Sequence, residues 1–130
     1  MIKSVLLIDD DKDDAEIFQE ALAEADSTAI FRHIDDGRLA IEKLTKENIP
    51  LPHIIFLDVN MPITTGWDCL KELKKYDTLK HIPVVMYSTS SHQREIDIAT
   101  TLGAERFFTK PTSYKELIKK ITEFIRGQPQ

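Results

Sequence analysis

The chain has 130 residues, of which 42% are hydrophobic and 30% charged, a balance that predicts one folded domain rather than a disordered segment. The formal net charge of −5 argues against direct binding to nucleic acid, whose phosphates require a basic surface. No apolar run approaches the roughly 20 residues of a membrane span, and Cys69 is the single cysteine. We therefore expect a soluble, cytoplasmic protein without an intrachain disulfide.

Short apolar runs alternate with amphipathic stretches along the whole chain. In chain order, the runs at residues 5–8, 29–34, 54–57, 83–87 and 107–109 predict five strands. Each run is followed by apolar residues at the spacing of an amphipathic helix, which predicts five helices. Their marker residues are, in chain order, Ala15 and Phe18, Leu39 and Leu44, Trp67 and Leu70, Ile96 and Ala99, and Leu117 and Ile121.

Polar residues indicate where three of these helices begin. Asp11 is suited to the N-cap of the first helix, where a carboxylate accepts hydrogen bonds from exposed backbone N–H groups. Ser90 stands three residues before Gln93, and Ser113 stands three residues before Glu116. Both pairs have the spacing of a capping box, so they predict the starts of the fourth and fifth helices.

The alternation of strands and helices predicts the α/β class, built from right-handed crossovers between parallel strands. Such a sheet carries helices on both of its faces. Ligands bind to sheets of this kind outside the carboxyl ends of the strands. The residues that directly follow the apolar runs are therefore the first candidates for a functional site.

Polar side chains stand at the ends of four of the five predicted strands. Asp9 and Asp10 follow the first strand, Asp58 the third, Ser88 the fourth and Lys110 the fifth. Three converging carboxylates repel one another and favour a bound cation, and oxygen ligands suit Mg²⁺. An aspartate can act as a nucleophile towards phosphorus, with a lysine and a metal ion neutralising charge on the phosphoryl oxygens. The pattern therefore indicates phosphoryl transfer to Asp58.

Five segments of the sequence resemble the receiver domain of two-component response regulators, in the order and at the spacing of that family. The resemblance extends from Val5 to about Ile125 and implies a flavodoxin-like sheet order of 2-1-3-4-5. It also implies a receiver domain at residues 1–126, a short tail at 127–130 and no output domain. The segments are residues 7–10 (LIDD), 56–62 (FLDVNMP) with Gly66 downstream, 84–89 (VVMYST), 103–104 (GA) and 109–111 (TKP).

The resemblance implies a role for each candidate site residue. Asp58 would accept a phosphoryl group from the phosphohistidine of a histidine kinase or a histidine phosphotransfer protein. Asp10, Asp58 and the backbone carbonyl of Asn60 would bind Mg²⁺ directly, with Asp9 acting largely through water. Lys110 would pair first with Asp58 and then with the phosphoryl group. The chain would be a switch read by a partner protein or a phosphorelay, not an enzyme.

Two further positions correspond to the residues that change conformation in this family. Ser88 would move its hydroxyl onto a phosphoryl oxygen, and Phe107 would change rotamer with it. Ser88 stands where threonine is commoner, and the side-chain rotamer of serine is less restricted. Phe107 lacks the hydroxyl of a tyrosine, so only the packing of its ring could report the switch. The resemblance also implies a cis peptide bond between Lys110 and Pro111.

Three alternatives share part of this pattern. A flavin mononucleotide binder has the same sheet order, but the acids after the first strand would repel a phosphate. A phosphoester hydrolase with an aspartate nucleophile would need a second acid two residues later; Asn60 fills that place after Asp58, whereas Asp11 fills it after Asp9. A degenerate receiver would keep the fold without phosphorylation. The four histidines show no ligand spacing, so we expect them at the surface or in turns.

Overall fold

The computed structural model describes residues 4–61, 64–89 and 92–126, which form one sheet of five parallel strands flanked by five helices. Pro62, Ser90 and the expected tail at 127–130 lie outside the described residues. The predicted α/β class and the sheet order β2-β1-β3-β4-β5 are confirmed. The strands are β1 (Ser4–Ile8), β2 (Ile30–Ile34), β3 (Ile54–Asp58), β4 (Val84–Ser88) and β5 (Arg106–Thr109). The helices are α1 (Lys12–Ala25), α2 (Gly37–Thr45), α3 (Gly66–Leu73), α4 (Gln93–Thr101) and α5 (Tyr114–Arg126).

Strand β3 is the centre of the sheet and pairs in parallel with β1 on one side and β4 on the other. All five of its residues are buried, as expected for a strand with helices on both faces. Ile8 at the end of β1 is opposite Leu57, and Asp58 is opposite Tyr87. This register places the carboxyl ends of β1, β3 and β4 side by side.

Two apolar layers cover the two faces of the sheet. Alternate strand residues supply them, since successive side chains of a strand point to opposite faces. Leu6 and Met86 belong to the layer that includes α2 and α3, whereas Phe56 belongs to the layer that includes α1 and α5. Burial of each large side chain contributes about 1.5–3 kcal/mol to folding. No helix among the described residues is long and apolar enough to cross a membrane.

The predicted starts of α1 and α5 are confirmed. Asp11 is the N-cap of α1, and its Oδ1 accepts hydrogen bonds from the backbone N–H groups of Asp13 at 2.9 Å and Asp14 at 3.1 Å. The hydroxyl of Ser113 accepts a hydrogen bond from the N–H of Glu116 at 3.1 Å. Cap contacts of this kind satisfy N–H groups that have no partner within the helix.

The predicted start of α4 is wrong. Its N-cap is His92, whose side chain makes no capping hydrogen bond, and Gln93 is the first residue of the helix. A capping box begun by Ser90, which lies outside the described residues, would make Gln93 the third residue of the helix, whereas Gln93 is the first. The other end of α4 is defined by Gly103, which has φ +94° and a backbone N–H that donates to a carbonyl of the last turn.

Candidate functional site

The carboxyl ends of β1 and β3 bring three carboxylates together. Asp9 and Asp10 directly follow β1, and Asp58 is the last residue of β3. Because β1 and β3 are neighbours in the sheet, one oxygen from each of the three carboxylates lies within 4.8 Å of the other two. Asp9 and Asp58 are buried, whereas Asp10 is exposed. The sheet therefore assembles an acidic cluster with one side open to solvent.

Hydrogen bonds fix the two buried carboxylates of this cluster. Asp9 Oδ1 accepts a hydrogen bond from the backbone N–H of Asp11 at 2.9 Å, and Asp9 Oδ2 accepts one from the hydroxyl of Tyr87. Asp58 Oδ1 accepts a hydrogen bond from the backbone N–H of Asn60 at 3.1 Å. No buried side-chain oxygen or nitrogen in the described part of the chain lacks a partner.

The protein alone compensates the charge of Asp58 poorly. Burial raises the pKa of its carboxyl from 3.8 to about 7, because it removes the water that stabilises the ionised form. The N–H of Asn60 and the positive charge of Lys110 lower this pKa only in part, and the negative charge of Asp9 raises it further. Three clustered carboxylates are an all-oxygen ligand set of the kind that Mg²⁺ and Mn²⁺ prefer. The residues present therefore fit a divalent metal ion.

Lys110 follows β5 and places its ammonium group among three carboxylates. Its Nζ lies 3.0 Å from Asp14 Oδ2, 3.6 Å from Asp9 Oδ2 and 3.7 Å from Asp58 Oδ2. Burial lowers the pKa of Lys110, but the neighbouring carboxylates, Asp9 first among them, outweigh that effect and raise the pKa above its ordinary value. Lys110 is therefore a cation at neutral pH and lies next to Oδ2 of Asp58.

The backbone at Lys110 differs in one respect from what the resemblance implies. Its N–H donates to the carbonyl of Ser88 at 2.7 Å, which extends the pairing of β4 and β5 by one residue. No cis peptide bond occurs in the described ranges, so the expected cis bond between Lys110 and Pro111 is wrong. The trans form is the more stable isomer before proline unless tertiary contacts select cis, and sequence motifs do not reveal such contacts.

The two expected switch residues lie on the same face of the sheet. Ser88 is fully buried, and its hydroxyl donates to Asn60 Oδ1 at 3.0 Å. Ser88 shares a face of β4 with Met86, because alternate residues of a strand point the same way. Phe107 is partly buried and packs against the apolar layer that contains Met86. Thr89, the next residue along the chain, is exposed.

Comparison with known proteins identifies the family of this chain. Residues 5–122 match the family model described as the response regulator receiver domain. The chain belongs to the response regulator receiver family. Receiver domains act in two-component signalling, where they receive phosphoryl groups from histidine kinases. Membership in this family decides against the flavin-binding and phosphoester-hydrolase alternatives.

Two response regulators resemble this receiver domain over nearly its whole length. Response regulator Rcp1 of Synechocystis sp. (strain ATCC 27184 / PCC 6803 / Kazusa) is 32% identical over 123 residues, which cover 92% of this chain and 84% of Rcp1. The crystal structure of the Mn²⁺-bound form of Rcp1 has a TM-score of 0.82 and covers 94% of this chain and 91% of that one. The phosphorylated cyanobacterial phytochrome response regulator RcpA has a TM-score of 0.86 at 31% identity, with coverage of 95% and 91%.

Receiver domains also occur within longer proteins. The protein-glutamate methylesterase/protein-glutamine glutaminase of Trichodesmium erythraeum (strain IMS101) is 33% identical over 126 residues. These residues cover 95% of this chain but 34% of that enzyme. The similarity to the enzyme therefore concerns the receiver domain and carries no information about esterase chemistry here.

Two residues of this receiver site are absent from the candidates that the sequence suggests. The hydroxyl of Tyr87 donates to Asp9, and the ring of Tyr87 lies under Lys110, with 4.7 Å between Nζ and the ring centre. Asp14, in the first turn of α1, is the nearest ion-pair partner of Lys110. The available signals were weak: a tyrosine that ends the apolar run of β4, and an acid four residues after Asp10.

His33 departs from its expected position at the surface or in a turn. It lies partly buried in β2, and its Nε2 donates to the backbone carbonyl of Asp9 at 2.7 Å. The edge strand thereby fixes the backbone at the end of β1. His33 contributes to the site through this backbone contact, and its ring is outside the cluster of possible metal ligands.

Proposed function

We propose that Asp58 accepts a phosphoryl group from a phosphohistidine of a histidine kinase or a histidine phosphotransfer protein, in the cytoplasm and with Mg²⁺. The observation that carries this proposal is the environment of Asp58. It is a buried carboxylate at the central strand end, adjacent to two further acids and facing the ammonium group of Lys110. A buried carboxylate used only for structure would be expected to have a close ion pair, whereas Lys110 Nζ is 3.7 Å from Asp58 Oδ2 and hydrogen-bonds to Asp14 instead.

The residues of the site suit each part of such a transfer. The ionised carboxylate of Asp58 attacks phosphorus, a P–O bond forms, and the P–N bond of the phosphohistidine breaks with its electron pair going to the imidazole nitrogen. Lys110 would neutralise charge on the phosphoryl oxygens. Ser88 follows Tyr87, the residue opposite Asp58 in the sheet, and its hydroxyl would donate to a phosphoryl oxygen after it leaves Asn60.

We assign the metal ligands among the same residues. Asp10, Asp58 and the backbone carbonyl of Asn60 would hold Mg²⁺ directly, and Asp9, already engaged by two hydrogen bonds, would act through water. When bound, the ion would favour the ionised form of Asp58 and neutralise charge on the phosphoryl oxygens. The exposed position of Asp10 leaves an entry path from solvent.

Labelling with acetyl phosphate tests this function. The wild-type chain in Mg²⁺ is expected to gain one phosphoryl group that is stable in acid and lost in base, as detected by intact-protein mass spectrometry. Asp58→Asn is expected to abolish labelling, and EDTA is expected to do the same for the wild type, because both remove a component of the transfer.

The matched control for this experiment is Asp35→Asn. Asp35 is an exposed acid that directly follows β2 at the same edge of the sheet, but it is outside the acidic cluster. This variant should label like the wild type. Undiminished labelling of Asp58→Asn would refute the assignment, and a wild type that never labels would identify a degenerate receiver.

We further propose that phosphorylation is signalled through Ser88 and Phe107. Phosphorylation adds roughly two negative charges and strong acceptor oxygens next to Ser88. The hydroxyl of Ser88 can donate to a phosphoryl oxygen only if it breaks its hydrogen bond to Asn60. This movement changes the packing on the face of the sheet where Phe107 lies. The surface formed by α4, β5 and α5 would then be the part that a partner protein or a phosphorelay reads, so that the chain acts as a switch and not as an enzyme.

Amide NMR of the free and beryllofluoride-bound protein tests this coupling. Shifts are expected to extend from the site through residues 92–110 in the wild type and to remain near Asp9, Asp10 and Asp58 in Ser88→Ala. Thr89→Ala, which removes an exposed hydroxyl from the next residue, should keep the extended shifts. Extended shifts that persist in Ser88→Ala would show that the signal takes another route.

A further inference from the structure

We propose that Asp14 is a positioning residue that holds Lys110 in a resting position and releases it when Asp58 is phosphorylated. This inference rests on the proposed function of Asp58. Lys110 Nζ lies 3.0 Å from Asp14 Oδ2 but 3.7 Å from Asp58 Oδ2. Because charge-assisted hydrogen bonds from an ammonium group are about 2.8 Å long, Lys110 is bonded here to Asp14 and not to the acceptor carboxylate.

The neighbouring carboxylates have hydrogen-bond partners other than Lys110. Both oxygens of Asp9 accept hydrogen bonds, one from a backbone N–H and one from the hydroxyl of Tyr87. One oxygen of Asp58 likewise accepts a hydrogen bond from a backbone N–H. The ring of Tyr87 adds a cation–π contact, with 4.7 Å between Nζ and the ring centre. The ammonium group is therefore confined between Asp14 and the aromatic ring.

The exposure of the three carboxylates makes Asp14 the one that Lys110 can leave most easily. The side chain of Asp14 is 41% exposed, compared with 4% for Asp58 and 0% for Asp9. A half-exposed carboxylate regains water when its partner departs, whereas a buried one would be left uncompensated. The roughly two negative charges of a phosphoryl group on Asp58 would attract the ammonium group of Lys110 away from Asp14 and towards the phosphoryl oxygens. Asp14 therefore competes with the phosphoryl group for the same cation.

The competition predicts a gain of affinity for a phosphoryl analogue when Asp14 is neutralised. Titration of the full chain with beryllofluoride in Mg²⁺ should give about two- to fivefold tighter binding for Asp14→Asn, the range expected for a partly exposed ion pair. Asp14→Glu retains the carboxylate and should bind like the wild type. Asp13→Asn, which removes an equal charge from an exposed position in the same helical turn, should have a smaller effect than Asp14→Asn.

NMR of the ε-methylene group of Lys110 provides a readout that a merely structural role would not change. In unliganded Asp14→Asn, this signal should already be displaced towards its position in the beryllofluoride-bound wild type. The role of Asp14 would be overturned if the wild type and Asp14→Asn bound beryllofluoride equally well, or if Asp13→Asn gained as much affinity as Asp14→Asn. Either result would leave the function of Asp58 intact. A wild type that does not bind beryllofluoride would overturn both.

Discussion

Asp58→Asn is expected to raise the free energy of unfolding at pH 8, without divalent cations, by about 2 to 4 kcal/mol. The wild-type carboxylate is buried and must lose its proton at this pH, although burial raises its pKa from 3.8 to about 7. The amide of asparagine has nearly the same shape and no charge to desolvate. The substitution also removes one member of a cluster of three acids that repel one another.

The pH dependence of this effect has a defined sign. In the unfolded chain Asp58 titrates near 3.8, and in the folded protein near 7, so the folded state binds the extra proton between these values. The wild type therefore loses stability as the pH rises through this window, and the loss is complete above it. The amide introduced by Asp58→Asn does not titrate, so the advantage of the variant should be small at pH 4 and largest at pH 8.

Urea unfolding followed by circular dichroism at both pH values measures the difference. Addition of Mg²⁺ should stabilise the wild type more than the variant, because the ion binds only the folded site. Asp35→Asn, which changes an exposed acid directly after β2, serves as the control and should show no comparable gain at pH 8. An advantage of Asp58→Asn that is the same at pH 4 and pH 8 would mean that desolvation of the carboxylate is not its cause.

The sheet could be predicted from the sequence because burial on both faces leaves a simple signal. A run such as residues 54–57 is apolar without alternation, which is typical of a central parallel strand. The structure adds Asp58 as the last residue of that strand. The order of the strands could not be predicted from the residues alone, because they indicate only that strands and helices alternate. The family resemblance supplied the order 2-1-3-4-5.

The error at α4 shows where local patterns are ambiguous. Ser90 and Gln93 have the spacing of a capping box, but any hydroxyl in a polar loop can match that pattern by chance. The helix instead begins at Gln93, after an N-cap residue with no capping side-chain bond. Helix α4 packs against β5, and this tertiary packing determines which residues become helical. Local sequence patterns therefore predict the start of the helix only weakly.

The site was predictable in part for a geometric reason. Parallel strands end at one edge of a sheet, so the strand pattern placed Asp9, Asp58 and Lys110 at the same edge. The order implied by the family resemblance then placed β1 and β3 next to each other. Tyr87 was not predictable, because its place in an apolar run indicates core packing, while the length of the side chain brings its hydroxyl to Asp9. Asp14 is equally hidden, since an acid in the first turn of a helix is explained by the helix dipole alone.

Gly66→Ala is expected to destabilise the protein by about 3 kcal/mol or more, which is at the upper end for overpacked positions. Gly66 is the first residue of α3, and it lies against the end of β3. A Cβ atom there would clash with the carbonyl oxygen of Asp58 and lie 2.7 Å from the Cα of Val59. Both neighbours are backbone atoms at the end of the central strand, so they cannot move aside without displacing the acceptor residue itself.

Gly37→Ala is a matched control for this substitution, because Gly37 is the first residue of α2, just as Gly66 is the first of α3. A Cβ atom at Gly37 would meet only side-chain atoms, with the methyl group of Thr64 nearest at 3.3 Å. Small adjustments can relieve that contact, and alanine favours helix by up to about 1 kcal/mol over glycine. The stability of Gly37→Ala in urea unfolding should therefore remain close to that of the wild type.

Beryllofluoride affinity should also fall in Gly66→Ala and be retained in Gly37→Ala, because only the Gly66 substitution displaces Asp58. Equal stability of the two variants would show that α3 can shift away from β3 without disturbing the site.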